Sequence, residues 1–584
     1  MLRNKLNIYC KVLSYVFILT IVSVAYSCNN DNDNILDQDP DPTPIVDIYD
    51  GSYFVDSKNG SDNNSGYTEN TAWKSLSKVS SSTFKPGDQI KFKKGERFNG
   101  HLVINSSGNE DNPIVITSYG TGDKPIITGE VGNAGGGDYQ EAILVENNDH
   151  ITFEDLEIHN ERTTSRSGVD DQDAYGIYIY NSGTGTMRNF IFRNMTFQNV
   201  YATKEMNDPD DFNGLEVAAV RIHSTQNTIS GEEKKIDYVL MDECYFTDLQ
   251  RLGVHIKHGG GKSGIGNDEL NRNSNLVFRN NEFHNTGGTC ILPIRTYNCL
   301  IENNIFDRPG DNSDPRMPNR GSAVWTWRCI NTVIQNNQCL HIRGYLDSHG
   351  IHVDHENINT FIQYNYMEDC EGGFVEILGG NVNAVYRFNV SVNDGWRNNP
   401  NWKNSNHTLW INEVVPGGKH FSDQSYIYNN TIFMDKNYAT AIDMDGTNTH
   451  IYNNIFYAIN GANIGGKQLV VKNNGTPLNM QNNLFYGSIN DTFKDMDTNP
   501  QDGDPLFNNE NSGTKFGYQL KAGSSAINSG IAKQGPPIPG AGIGIFKDLT
   551  PYPTVDFYGN PIDLSSGTPN IGACNAKNGE VQIN

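Results

Sequence analysis

The chain has 584 residues, 36% hydrophobic and 19% charged, with 58 Gly, 23 Pro and a net charge of −24. That composition excludes a coiled coil, a collagen and a disordered tail. The acidic balance, with no Lys/Arg-rich run, argues against nucleic acid as a partner, because phosphate binding needs a basic face that releases counterions.

Arg3, Lys5 and Lys11 precede an uncharged apolar run from Val12 to Tyr26, short for a membrane span, which ends at Ser27-Cys28. Residues 1–27 read as a signal peptide, the alternative being an uncleaved anchor. Ala25 and Ser27 before Cys28 resemble a bacterial lipoprotein processing site, from which Tyr26 departs. The resemblance implies lipidation of Cys28, export to the outer membrane and membrane contact only through that lipid. Residues 28–50 are acidic and Pro-bearing and should form an extended tether, similar to the leaders of surface-exposed Bacteroidota lipoproteins.

Repetition dominates the middle of the chain. Short apolar strands carry an Asn at the same place: FRNMTF, FRNNEF, IENNIF, IQNNQC, IQYNYM, YRFNVS, IYNNTIF, IYNNIF and MQNNLF. The last Asn of each gives the series Asn194, Asn281, Asn304, Asn337, Asn365, Asn389, Asn430, Asn454 and Asn483, with tightest spacings of 23 and 24 residues. Such a repeat has room for three short strands and their turns, which is one rung of a parallel β-solenoid, and stacked Asn amides satisfy one another inside it. The fold expected is all-β: a single-domain right-handed parallel β-helix, resembling pectate-lyase-like proteins from Ile104 to Phe485. Residues 51–130, with TAWKSLSKV as a short amphipathic helix, read as the N-terminal cap and first rungs, 131–500 as the β-helix with its groove, and 501–584 as closing rungs and cap.

Period-2 alternation assigns outward residues to the strand before each Asn strand. Down the axis these are Tyr178 and Tyr180, Arg221 and His223, His255 and Lys257, Arg295, Trp325 and Trp327, His352 and Asp354, Glu376, Trp410 and Asn412, then Asp443 and Asp445. Flat rings and fixed hydrogen-bonding groups in a continuous stripe suit a saccharide groove. Arg221, Lys257 and Arg295, kept against an acidic background, point to an anionic poly- or oligosaccharide.

Two chemistries compete for this stripe. In β-elimination, cations neutralise a uronate, a base removes the C5 proton and an acid assists the group leaving C4. His255, Lys257, Arg295, His352, Asp354 and Glu376 are the catalytic candidates for that scheme, with Tyr297 and Tyr345 nearby. Tyr178, Tyr180, Arg221, His223, Trp325, Trp327 and Trp410 then bind substrate. This is the preferred expectation, as a lyase or a dehydratase. In style the chain is similar to proteins of glycan-degradation systems of marine or gut Bacteroidota, which implies algal uronate polymers such as ulvan or alginate, or host glycosaminoglycans, as substrate classes; an ulvan-oligosaccharide dehydratase would suit these residues. The rival is a retaining glycoside hydrolase using Asp354 and Glu376, one rung apart, whose contexts GIHVDHEN and GGFVEIL resemble the acid pair of xylosidase-type β-helix glycosidases. A non-catalytic glycan-binding protein is the third reading.

Asp-rich loops at Asp170 to Asp173, Asn207 to Asp211 and Asp307 to Asp314 offer oxygen ligands of the kind Ca2+ takes, but none matches a twelve-residue calcium loop; no other cofactor is implied. Cys244, Cys290, Cys299, Cys329, Cys339, Cys370 and Cys574 have no paired spacing and read as buried thiols. The protein is expected to act as a monomer.

Overall fold

A computed structural model describes residues 49–206, 209–226, 233–259, 271–398, 406–562, 564 and 568–576; the leader, Cys28 and most of the tether lie outside the described residues, as do Asn207 and Asp208 of one Asp-rich loop. Three long parallel sheets make the β-helix. A first sheet of 14 strands runs from Ser52–Val55 to Asn479–Gln481, a second of 12 from Leu102–Ile104 to Asn463–Val471, and a third of 14 from Arg97–Asn99 to Gln501–Asp502. Away from the two ends, each rung gives one strand to each sheet: His349–Val353 lies in the second, Ile358–Gln363 in the first and Tyr366–Glu368 in the third, before Gly373–Ile377 returns to the second.

Alternation explains the filling. Ile351 and Val353, then Val375 and Ile377, then Leu409 and Ile411 point inward and are fully buried. Phe197, Phe246, Phe283 and Phe306 stack at centroid spacings of 4.8, 4.2 and 5.2 Å. All seven cysteines of the described residues are buried and free.

The Asn ladder runs along the corner between the first and third sheets. Asn281 Nδ2 donates to Asn304 Oδ1 at 2.9 Å, Asn304 to Asn337 and Asn337 to Asn365 at the same distance, and the chain continues through Asn389, Asn430 and Asn454 to Asn483, which donates to Asp497. Each ladder Asn follows a residue in the left-handed region, such as Asn280 (φ 56°), Asn336 (φ 56°) and Tyr364 (φ 58°). One expectation is corrected. Asn194 occupies that left-handed position (φ 48°) and is exposed, and the inward position beside it belongs to Met195. FRNMTF has one Asn where FRNNEF has two, so the ladder starts at Asn281.

A second, shorter ladder sits at the corner between the second and first sheets. Asn357 Nδ2 donates to Asn381 Oδ1 at 2.9 Å, and both amides donate to the backbone carbonyl of Asp354, at 2.9 and 2.6 Å. It fixes the chain where Asp354 leaves the sheet.

Candidate active site

The strand register puts the outward residues of the second sheet into two columns. The first reads Tyr178, Arg221, His255, Leu292, then Trp325, His352, Glu376, Trp410 and Asp443; the second reads Tyr180, His223, Lys257, Ile294, then Trp327. Arg295 is therefore misplaced by one residue in the sequence-based alignment. It sits past the strand end, at φ 55°, because Leu292 and Ile294 take the outward positions. Tyr297 belongs to a strand of the first sheet, around the corner from the columns, and Tyr345 is buried in a turn with its ring 5.7 Å from the Arg320 guanidinium.

Column position does not make a cation available. Glu216, at the start of its strand, bonds the Arg221 guanidinium and lies 3.6 Å from His255 Nδ1 and 3.8 Å from Lys257 Nζ. Arg221 is also buried, its guanidinium 5.0 Å from the Tyr175 ring centroid. Burial works against the Glu216 anion, but Arg221 and His255 outweigh it and hold the carboxyl far below its ordinary range. Burial, with Arg221 alongside, pushes the His255 imidazole well down. Three of the groups that suggested a uronate are thus gathered on one carboxylate of the protein. Beside them Tyr178 and Tyr180 stack at 5.0 Å, and Tyr178 Oη bonds His223 Nδ1 at 3.1 Å.

The chemistry is concentrated one step further along the axis. Trp325 lies flat on His352, with ring centroids 5.1 Å apart and planes at 3°, and its Nε1 donates to Asp354 Oδ2 at 2.6 Å. His355 Nε2 is 3.0 Å from Asp354 Oδ1, and His352 Nε2 is 3.8 Å from the same oxygen. The other ring nitrogen of His352 faces two more carboxyls, Glu376 Oε2 at 3.5 Å and Asp347 Oδ1 at 4.0 Å. His349 Nδ1 lies 2.8 Å from Glu376 Oε2. Three carboxyls and two further histidines thus gather around the His352 imidazole.

Their supports come from both flanks of the sheet. Asp347 rides on the turn that enters His349–Val353, where Arg320 Nε holds its Oδ2 at 2.6 Å. Arg397 bonds the Gly344 and Leu346 carbonyls of the same turn at 2.8 and 3.0 Å. Phe212, from the loop before Glu216–Ser224, covers Arg320 at 3.9 Å and approaches Trp325 at 6.2 Å, so this insertion walls the groove on one side. Beyond the cluster Trp410 stacks on His407 at 4.7 Å, while Asn412 caps Val414 N and Asp445 accepts from Asn474. A depression of about 440 Å³ lined by Lys257, Arg295, Trp325 and Trp327 opens next to the cluster.

Burial sorts the carboxyls. Glu376 is 0% exposed, whereas the side chains of Asp354 and Asp347 keep 5% and 10%. Burial pushes Glu376 up to about 8, His352 and Arg397 pulling down and Asp347 and Asp354 pushing up. Burial would also raise Asp354, but His355, His352 and Trp325 together hold it below its ordinary value. Burial lowers His349 to about 3. The Asp-rich loops are otherwise engaged: Asp307 pairs with His284 and His341, Asp314 with Arg316, and Asp171 with Arg162.

No family model matches the chain. The lacto-N-biosidase of Bifidobacterium longum subsp. longum is 24% identical over 616 residues, covering 89% of this chain and 36% of its own length, so the chain spans about a third of that relative. The crystal structure of the GH136 lacto-N-biosidase from Eubacterium ramulus superposes with a TM-score of 0.52 at 20% identity, over 72% of this chain and 68% of that one, and its selenomethionine derivative gives 0.51 at 19%. The fold is therefore shared with β-helix glycoside hydrolases. These relatives overturn the expectation of β-elimination at a uronyl residue, and with it the lyase and dehydratase assignment: they are glycosidases, and Arg221, His255 and Lys257 converge on Glu216. The ulvan-like substrate loses its support with them.

Sequence reasoning missed Asp347, His349, His355, Glu216, Arg320 and Arg397. The run DSHGIHVDHEN carries the signal for the first three, since it packs two aspartates, three histidines and a glutamate into eleven residues.

Proposed function

We propose that the protein is a glycoside hydrolase whose reaction centre is the Asp347–His352–Asp354 cluster, acting on a neutral oligosaccharide of the kind a lacto-N-biosidase takes. One observation carries this reading: two carboxyls, each less deeply buried than Glu376, flank a single imidazole beside an indole platform, and the Asp354 carboxyl is held below its ordinary range. Glycosidases need such a pair, one carboxylate to meet positive charge at the anomeric carbon and one to move a proton on the leaving oxygen. Asp354 takes the first role and Asp347 the second.

Glu376, paired with Asp354 in the sequence-based alternative, stands one rung beyond His352 in the same outward column and is the most deeply buried of the three carboxyls. His352 Nδ1 stands between Glu376 and Asp347, 3.5 and 4.0 Å from them. The loop bearing Phe212 blocks the groove on one side, which favours cleavage at a chain end over cleavage within a chain. The leader ending in Cys28 supports an exported, lipid-anchored form of this enzyme.

The test is release of reducing ends from a lacto-N-biose-terminated oligosaccharide and from uronate oligosaccharides, alongside near-ultraviolet absorbance. Reducing ends from the neutral substrate, lost in Asp347→Asn and in Asp354→Asn, are expected. Glycan binding without any cleavage would return the chain to the glycan-binding reading.

A further inference from the structure

One ligand atom each from Asp347, His352 and Glu376 lie within 4.8 Å of one another, and all three residues are buried. His352 Nδ1 is 3.5 Å from Glu376 Oε2 and 4.0 Å from Asp347 Oδ1. Ligands on a tetrahedral ion with bonds of about 2.0–2.2 Å sit roughly 3.3–3.6 Å apart. Two of the three separations, 3.5 and 4.0 Å, lie within about half an ångström of that spacing.

A second observation is independent of the clustering. Neither ring nitrogen of His352 and neither oxygen of Glu376 makes a hydrogen bond of acceptable geometry, although the residues are 1% and 0% exposed. Buried polar atoms of this kind are destabilising when left unmet. They are aimed at one another and at Asp347.

The surroundings have the form of an outer ligand shell. Arg320 engages the other oxygen of Asp347, His349 Nδ1 lies 2.8 Å from Glu376 Oε2, and Asp354 Oδ1 faces His352 Nε2 at 3.8 Å. On a metal-bound imidazole a carboxylate hydrogen-bonded to the far nitrogen fixes the tautomer; Asp354 stands at that position, 3.8 Å away and not bonded to it. We propose that Asp347, His352 and Glu376 form a binding site for one divalent transition ion of the Zn2+ type. Imidazole with two carboxylates in a tight, dry cluster suits Zn2+; Ca2+ takes six to eight oxygens, and this cluster offers too few.

The inference goes beyond the hydrolytic reading and is tested without it. The full chain, stripped with a chelator, is titrated with ZnCl2 by calorimetry, and the bound ion is examined by X-ray absorption. One Zn2+ per chain is expected, in a nitrogen and oxygen shell containing one imidazole. Affinity should fall at least roughly 100-fold in Glu376→Gln and His352→Gln, and roughly 10- to 100-fold in Asp354→Asn. Circular dichroism on each variant distinguishes loss of the site from loss of the fold, and the absorption spectrum of the wild-type chain decides the matter if a variant is unfolded. Absence of binding, a shell without imidazole, or unchanged affinity in folded variants overturns the proposal. Zn2+ that binds and reversibly blocks hydrolysis supports it together with the hydrolytic reading. Zn2+ that binds through these residues in a chain showing no hydrolysis supports the metal site and leaves the hydrolytic reading refuted.

Discussion

Asn381→Ala tests whether the short corner ladder holds Asp354 in place. Asn381 is 1% exposed, and its Nδ2 donates to the Asp354 and Leu378 carbonyls at 2.6 and 2.7 Å, while its Oδ1 accepts from the backbone and side-chain amides of Asn357, both at 2.9 Å. Truncation removes these four bonds and a fifth, longer one to the Val353 carbonyl at 3.5 Å. The Asp354 carbonyl keeps Asn357 Nδ2 and the Leu378 carbonyl keeps the Ser422 hydroxyl, but the Asn357 backbone N–H is left buried without an acceptor. One orphaned donor at about 1–3 kcal/mol, plus partial loss of the others at about 0.5–1.5 each, gives a cost of about 2–4 kcal/mol. Urea unfolding measures it, against Asn99→Ala, whose single exposed bond to the Glu130 carbonyl should cost about 0.5 kcal/mol or less. Hydrolysis should fall as well, through kcat more than KM, because the corner that carries Asp354 relaxes. A cost below about 1 kcal/mol, or equal to that of Asn99→Ala, would refute the reasoning.

Further outcomes rest on the same geometry. Asp347→Asn and Asp354→Asn should each lower hydrolysis by roughly three orders of magnitude or more while the circular dichroism spectrum is retained; hydrolysis within tenfold of wild type in either would exclude that residue from the chemistry. Glu216→Gln removes the partner of the buried Arg221 and should cost about 1–3 kcal/mol in urea, less than a fully buried pair because the Glu216 side chain is 28% exposed. An unchanged urea midpoint would show that Arg221 does not depend on Glu216. Asp394 is buried and its carboxyl is pushed up to about 7 by that burial, against bonds from Ser391 and the Cys370 amide. The folded chain then keeps a proton that the unfolded chain sheds near pH 4, so this group makes stability fall as pH rises from about 4 to 7, at no more than about 1.4 kcal/mol per pH unit. Asp394→Asn should flatten that slope, and an unaltered slope would assign it to other groups.

The architecture was legible in the chain because a solenoid repeats its physics at every turn. The Asn that closes one corner recurs in sequence, and a purely local pattern of apolar alternation and turn residues then specifies strand after strand. Errors came where the local pattern was ambiguous by one residue. A single Asn in FRNMTF and the Leu-Pro-Ile run before Arg295 each allow two alignments, and only the strand register decides which side chain points inward.

The stripe of rings and charges on the second sheet was also readable, since alternation fixes direction. Its meaning was not, because what a charge does depends on its neighbours across rungs and loops. Glu216 stands five residues before Arg221 in the chain, yet it also neutralises groups of the next rung, and that pairing turns an apparent anion site into an internal ion cluster. Asp347 comes from a turn outside the repeat, held by Arg320 and, through the turn's carbonyls, by Arg397 from a rung beyond. Periodicity carries no information about such contacts. The sequence determined the repeating scaffold and the face that bears function, because those follow from local hydrogen bonding and alternation; only the tertiary structure decided which carboxyls share one imidazole and how deeply each is buried, because burial depends on everything packed around them.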